Sequence, residues 1–208
     1  MTTAKKLVTI AEKVIAVFEA GKAQGGGGGS FYDNFWDSYQ NGGKRTDYLY
    51  AFAGAGWNNS TYNPKHSPLD MSGNGQMAFT YSLITDTKVP IDITKASANI
   101  SGMFNNAKKL VTINKIMVSE STASMNSFFT NCSALENITI EGVIGKNINV
   151  QWCTKLTHDS LMSIINALQN KTNDTSGSTF TLTIGSENYA KLTESEIEIA
   201  RSKGWEVV

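Results

Sequence analysis

Apolar and polar residues alternate with a period of two in four short segments, a pattern that predicts half-buried β-strands. Each segment places Leu, Ile, Val or Phe on one face and mostly Thr, Asn or Glu on the other. Pro90 suits an early or edge position in its strand, because proline has no N–H to donate to a sheet. The segments are residues 89–94 (VPIDIT), 110–114 (LVTIN), 135–140 (LENITI) and 179–185 (TFTLTIG).

The second and third strands close two copies of an internal repeat. Residues 102–113 (GMFNNAKKLVTI) and 127–140 (SFFTNCSALENITI) match at a step of 25 residues, with Phe104 on Phe129. Self-similarity at 20 to 29 residues with Leu, Asn and Cys signatures is typical of leucine-rich repeats. We therefore predict an α/β solenoid that begins at Met77, in which equivalent positions of successive coils stack.

The two cysteines occupy equivalent places in this pattern. Cys132 follows Asn131 in the repeat, and Cys153 lies in a third, shorter copy, WCTKLT, after a step of 21 residues. Stacking would bring the two side chains close together. Two buried thiols that act as small apolar fillers are one interpretation, and a disulfide is the other. Without a histidine cluster the pair predicts no zinc site.

Residues 1–24 are predicted to form an amphipathic helix with an apolar stripe at heptad spacing. Three roles stay open, because so short a helix needs something to pack against. They are a coiled coil of two or three chains, packing on its own domain, and attachment to a larger assembly. A glycine-rich linker, residues 25–30, follows and separates this helix from the rest. The candidate oligomerisation residues are Leu7, Ile10, Val14 and Val17.

Residues 31–76 are rich in aromatic side chains and are predicted to cap the open end of the repeats. A polar loop at 58–67 carries aromatics, and two interpretations of it stay open. It either forms an aromatic-lined ligand site or folds back on the cap as an ordinary surface loop. The candidate residues of this aromatic loop are Trp57, Tyr62 and His66.

The repeats are predicted over 77–156, and residues 157–208 form a helix-strand-helix-strand cap at the other end. The first helix, 156–170, starts at Thr157 or Asp159 and buries one apolar face. In the second, Thr193 and Glu196 match a capping box, Gly204 ends the helix, and WEVV forms the last strand. The predicted apolar face of the first helix comprises Leu161, Ile164, Ile165 and Leu168.

The polar face of the strands is the candidate recognition surface, although small polar side chains also serve simply to keep a sheet soluble. These two interpretations stay open. The residues of this candidate face are Thr112, Asn114, Asn137, Thr139, Glu141, Thr181 and Thr183.

Composition and short motifs argue against several classes of function. Eighteen basic and eighteen acidic residues in 208 give no net charge, which argues against a nucleic-acid binder. No apolar run approaches a membrane span, and no signal peptide is predicted. His158, Asp159 and Ser160 are the residue types of a hydrolytic triad, but neighbours at a helix start point in divergent directions. We therefore predict no catalytic, metal or cofactor site.

The motif FFTNCSALENITI resembles the repeat of BspA-like leucine-rich-repeat proteins. The resemblance is most specific at Phe129, Asn131, Cys132, Leu135, Ile138 and Ile140. The flanking segments resemble the ends of such proteins encoded beside tail and baseplate genes of phages and prophages. The resemblance implies a short leucine-rich-repeat solenoid with helical caps and a separate N-terminal helix.

The same resemblance implies a non-enzymatic tail or fibre component, located in the virion or in the bacterial cytoplasm before release. Its expected partners are a second or third copy through residues 1–24, other tail proteins, or a protein or glycan of the host surface. A bacterial cell-surface adhesin of the same repeat class is the alternative.

Overall fold

The computed structural model describes residues 67–71, 75–95 and 100–208, which all belong to one compact unit, Arg45–Val208. The predicted N-terminal helix, the glycine-rich linker and most of the aromatic cap lie outside the described residues.

The first sheet has four parallel strands in the order β1-β2-β3-β4. Its register follows the 25-residue repeat at Ile113, which lies opposite Ile138, and then shifts by one residue, so that Ile116 lies opposite Ile140. Their side chains are buried, so the apolar face of the alternating pattern points into the core as predicted. The strands are β1 (Leu69–Asp70), β2 (Ile91–Asp92), β3 (Thr112–Val118) and β4 (Asn137–Gly142).

A column of phenylalanines runs through the core beside this sheet. Phe104 stacks on Phe79 with ring centroids 5.0 Å apart and on Phe129 at 6.2 Å, with interplanar angles of 13° and 5°. All three rings are almost fully buried. Because Phe79 precedes Phe104 by the same 25-residue step, the repeat has one more copy than the sequence motif alone indicates.

The turn that follows each ring keeps a left-handed residue at the same place. Tyr81, Asn106 and Asn131 have φ values of 54°, 59° and 58°. Asparagine tolerates this conformation better than most residues. The Asn131 side-chain amide donates to Asn106 Oδ1 at 3.1 Å, so neighbouring turns are also joined by their side chains.

A helix, and not another strand, covers the far edge of β4. Helix α1, His158–Ala167, begins at the N-cap Thr157, whose hydroxyl accepts from the backbone N–H of Ser160. The predicted apolar face of this helix is buried, Leu168 included. The backbone N–H groups of Ile138 and Ile140 donate to the hydroxyls of Ser160 and Ser163, at 3.0 and 2.8 Å. The helix therefore takes the place that the next strand of a continuous ladder would fill.

The second sheet has three parallel strands in the order β5-β6-β7. Phe180 of β6 lies opposite Trp205 of β7, and the rings pack 5.7 Å apart. The predicted capping box is confirmed, because Thr193 and Glu196 bond reciprocally at the start of α3. The elements are β5 (Ile148–Asn149), β6 (Phe180–Thr183), α2 (Gly185–Tyr189), α3 (Glu194–Ser202) and β7 (Trp205–Val207).

The predicted α/β solenoid is wrong. The described chain forms two small parallel sheets with three helices, and the segment 179–185 does not continue the ladder of residues 135–140. Its strand, β6, pairs instead with β5 and β7, because α1 already occupies the edge of β4. β5 precedes residue 156 and β6 follows it, so the second sheet crosses the predicted boundary between repeats and cap.

Candidate functional site

The outward face of β3 and β4 carries five of the seven candidate recognition residues. Thr112 lies directly opposite Asn137. Between Ile113 and Ile116 the register shifts, so that Asn114 and Lys115 together face the single residue Thr139. Such a bulge bends its strand and redirects side chains. Four of the five candidates, Asn114, Asn137, Thr139 and Glu141, are exposed, and Thr112 is half-buried.

One ion pair crosses this face. Lys115 Nζ lies 2.5 Å from Glu141 Oε2, and the two side chains are 36% and 52% exposed. An exposed pair of this kind adds little stability, because water screens both charges. Its main effect is to offset the negative charge of Glu141, because Lys115 neutralises this carboxylate, the only one among the candidate recognition residues.

A groove of about 290 Å³ lies where this face meets the start of α1. Ser160 and Ser163 hold the edge of β4, so their hydroxyls are already engaged. Within the described residues the side chains of Asn137 and Thr139 make no hydrogen bond, which leaves them available to a ligand. The groove is lined by Asn137, Ile138, Thr139, Thr157, Asp159, Ser160 and Ser163.

The triad-like residues at this helix start do not converge. His158 Nε2 lies 2.8 Å from Glu196 Oε1 of α3, and its Nδ1 lies 3.6 Å from Asp159 Oδ1. The Ser160 hydroxyl instead donates to the carbonyl of Glu136 at 3.0 Å. The imidazole therefore links two helices and has no hydrogen bond to the serine among the residues described.

The contact between His158 and Glu196 shifts the pKa values of both residues. The hydrogen bond that the protonated imidazole donates to Glu196, and then the negative charge of Glu196, raise the pKa of His158. The backbone N–H of Thr193, followed by His158, lowers the pKa of Glu196. His158 is exposed and Glu196 is half-buried, so the contribution of the pair to stability is small.

The other two candidate recognition residues lie on the second sheet. Thr181 and Thr183 are half-buried in β6, opposite Glu206 and Asn149. The seven predicted residues thus belong to two sheets and do not form one ladder. The predicted aromatic loop (Trp57, Tyr62, His66) and the predicted oligomerisation stripe (Leu7, Ile10, Val14, Val17) lie outside the described residues.

The sequence analysis did not predict that two aromatic side chains, Tyr81 and Trp152, are exposed. Tyr81 is 63% and Trp152 is 51% exposed, whereas most other large apolar side chains in the described ranges are covered. A signal was present for Trp152. It precedes Cys153 as Asn131 precedes Cys132, and Asn131 is an exposed turn residue.

Both cysteines are buried and free. Cys132 Sγ donates to the carbonyl of Phe104 at 3.0 Å, and Cys153 Sγ points to that of Phe129 at 3.7 Å. A hydrogen bond with Cys132, together with burial, raises the pKa of Cys153 far above its usual range. Since the thiolate is the nucleophile, this thiol is chemically inert in the folded protein.

Across the described ranges, no group of three or more His, Cys, Asp or Glu side chains is placed to hold a metal ion. In the same ranges no helix is both long and apolar enough to cross a membrane. Comparison with protein-family models, with curated proteins and with solved structures finds no match to this chain.

Proposed function

We propose that this protein is a non-enzymatic binding or structural component of a phage or prophage tail, which presents the outward face of β3 and β4 to the host cell. The groove at the start of α1 is the observation that carries the binding role. There, Asn137 and Thr139 offer an amide and a hydroxyl that the described fold leaves unused. The particle role rests on the resemblance of the segments that flank the repeats to the ends of leucine-rich-repeat proteins encoded beside phage tail and baseplate genes.

The chemistry of the groove supports binding rather than catalysis. Its serines are committed to the edge of β4, and its nearest histidine is turned toward α3. A hydrolytic site would need a nucleophile and a base within hydrogen-bond reach of each other. The polar side chains that remain are suited to direct hydrogen bonds with a polar surface.

A cell-binding assay tests the binding role. The fluorescently labelled full chain is added to a panel of bacterial strains, and bound label is measured by flow cytometry. Thr139→Arg fills the groove and should reduce binding at least tenfold. Thr175→Arg makes the same change on an exposed loop and should bind as the unaltered protein does. Absence of binding to every strain, or full binding by Thr139→Arg, would refute the binding role.

Electron microscopy tests the particle role. Antibody against the purified chain, coupled to gold, is applied to particles from an induced lysogen that carries the gene. Label at the tail is expected. Label confined to the cell wall of uninduced bacteria would favour the adhesin alternative and overturn the particle role.

A further inference from the structure

We propose that a second groove, around Trp152, binds a neutral pyranose sugar. The groove has a volume of about 260 Å³ and shares no lining residue with the groove at the start of α1. This inference does not rest on the tail role, because it follows from the Trp152 surroundings alone. The groove is lined by Gln151, Trp152, Thr154, Gly185, Ser186 and Glu187.

The indole is exposed although the chain on both sides of it is fixed. Val150 and Cys153 are 1% and 0% exposed. The Cys153 N–H donates to the carbonyl of Val150 at 2.9 Å, and the Val150 N–H donates to that of Thr183 at 2.8 Å. The half-exposed ring of Trp152 therefore sits on a tight turn with buried anchors. A tryptophan held in this way supplies a rigid contact face with little entropy to lose on binding.

Backbone from α2 forms the opposite wall and approaches the turn closely. Gly185 has a φ of +71°, and a Cβ at this position would lie 3.1 Å from the Cβ of Gln151. Glycine is the residue that tolerates both the left-handed conformation and the close approach. The two walls thus meet at the base of the groove.

Two side chains tie these walls together. The fully buried Asn188 amide donates to the carbonyls of Val150, Cys153 and Ile184, at 3.3, 3.2 and 3.1 Å. Lys191 Nζ donates to the carbonyl of Thr154 at 2.7 Å and to Asn188 Oδ1 at 3.0 Å. The shape of the groove is therefore set before any ligand arrives, which lowers the cost of binding.

The groove also holds polar groups that the fold does not use. Within the described part of the chain, no hydrogen bond is made by the side chains of Gln151, Thr154, Ser186 and Glu187 or by the ring N–H of Trp152. Together they supply amide, hydroxyl and indole donors and amide, hydroxyl and carboxylate acceptors. They surround an aromatic face, so one apolar platform is bordered by mixed donors and acceptors.

A pyranose matches this arrangement. One face of the ring carries C–H groups that can cover an indole, and its rim carries hydroxyls that both donate and accept. The volume lies below the range of about 300–1,000 Å³ typical of sites for drug-sized ligands, so one or two rings fit. The single charged side chain of the lining is the Glu187 carboxylate, which disfavours acidic sugars and phosphates. For one ring in so open a groove we expect a Kd of about 1 mM.

Nuclear magnetic resonance of the full chain tests the inference. Glucose, galactose, mannose and N-acetylglucosamine are each titrated to about 50 mM, which would nearly saturate a site with a millimolar Kd. The indole N–H signal of Trp152, assigned through Trp152→Phe, should shift with at least one sugar, and the backbone amide signals of Thr154 and Ser186 report the Kd in every variant. Trp152→Ala should weaken binding at least tenfold. Tyr81→Asn removes another exposed ring and should leave the Kd unchanged.

Other outcomes decide against the sugar. No shift with any of the four sugars, or an unchanged Kd in Trp152→Ala, would overturn the proposal. Sedimentation experiments could also overturn it. If the protein self-associates and Trp152→Ala abolishes that association, the surface around Trp152 binds a second copy and not a sugar.

If Trp152→Ala fails to fold, the double variant Gln151→Ala with Glu187→Ala serves the same purpose and should bind at least tenfold more weakly. If Thr139→Arg still binds the sugar, the sugar site and the cell-binding groove are distinct sites.

Discussion

The hydroxyl of Ser160 accepts a hydrogen bond from the backbone N–H of Ile138 at 3.0 Å. A neighbouring strand would normally supply the acceptor for this N–H. Here the side chain of a helix residue supplies it, and without Ser160 the N–H would be unpaired beneath the helix. Ser160 is 4% exposed, so water cannot take over that bond.

Replacing Ser160 with alanine should therefore destabilise the protein. We expect Ser160→Ala to lower the free energy of unfolding by about 1–3 kcal/mol, the cost of leaving a buried donor unsatisfied. Ser133→Ala, at an exposed position, should change it by less than about 0.5 kcal/mol. Denaturant unfolding followed by circular dichroism measures both. Equal midpoints for the two variants would show that Ser160 does not support the sheet edge.

Close approach between β3 and β4 makes Gly142 a sensitive position. It has a φ of +105°, and a Cβ there would lie 2.0 Å from the carbonyl oxygen of Val118. Gly177 also has a positive φ, +72°, but nothing lies within 4 Å of its Cβ position. Gly177→Ala should cost about 1–2 kcal/mol for the left-handed conformation alone.

Gly142→Ala should cost clearly more, because the backbone of β3 must also shift. The difference between the two midpoints in denaturant unfolding isolates the steric part of the effect. A loss for Gly142→Ala no larger than that for Gly177→Ala would mean that the strands can separate freely at this point.

The contact between His158 and Glu196 should make stability depend on pH. The pKa of His158 is raised, so its contribution is complete below the usual value of 6.5 and is lost as the pH rises through the folded-state pKa. The pKa of Glu196 is lowered, so its contribution is present above the usual value of 4.5 and is lost as the pH falls through its folded-state pKa. The pair therefore contributes most between pH 4.5 and 6.5.

A histidine titration followed by nuclear magnetic resonance measures this effect directly. The His158 signal, identified by its absence in His158→Gln, should titrate above pH 6.5. Glu196→Gln keeps the capping box but removes the charge, and it should move the His158 pKa back toward 6.5. An unchanged His158 pKa in Glu196→Gln would remove the carboxylate as the cause.

The two cysteines should be unreactive in the native protein. Both side chains are fully buried, so a thiol reagent cannot reach them and should label neither residue at neutral pH. In denaturant both thiols should react. If the denatured, unreduced protein shows no free thiol, the disulfide interpretation of the sequence is correct and the buried-thiol interpretation is wrong.

Local features of the fold followed from the sequence because the deciding residues are close together. The apolar face of α1 and the pairing of Thr193 with Glu196 depend on spacings within one helix, and Thr157 is one of the two N-caps that the spacing allowed. The core positions of the repeat followed as well, since Phe129 and Leu135 sit in a strict pattern.

Strand pairing could not be predicted in the same way. The segment 179–185 has the alternation that suits either sheet, and in the folded chain α1 occupies the edge of β4 while β6 pairs with β5 and β7. That depends on Ser160 and Ser163, two ordinary helix serines whose bonds to β4 leave no signature in a hydrophobic pattern. The groove around Trp152 could not be predicted for a similar reason, because its second wall comes from α2, which is more than thirty residues away.

The helix along β4 protects this edge of the sheet against pairing with other molecules. A parallel sheet with a bare edge can recruit a strand from another molecule and grow without limit. Here the last full-length strand offers its Ile138 and Ile140 amides to serines of the same chain. This edge therefore gives neighbouring copies no template on which to fuse into fibrils.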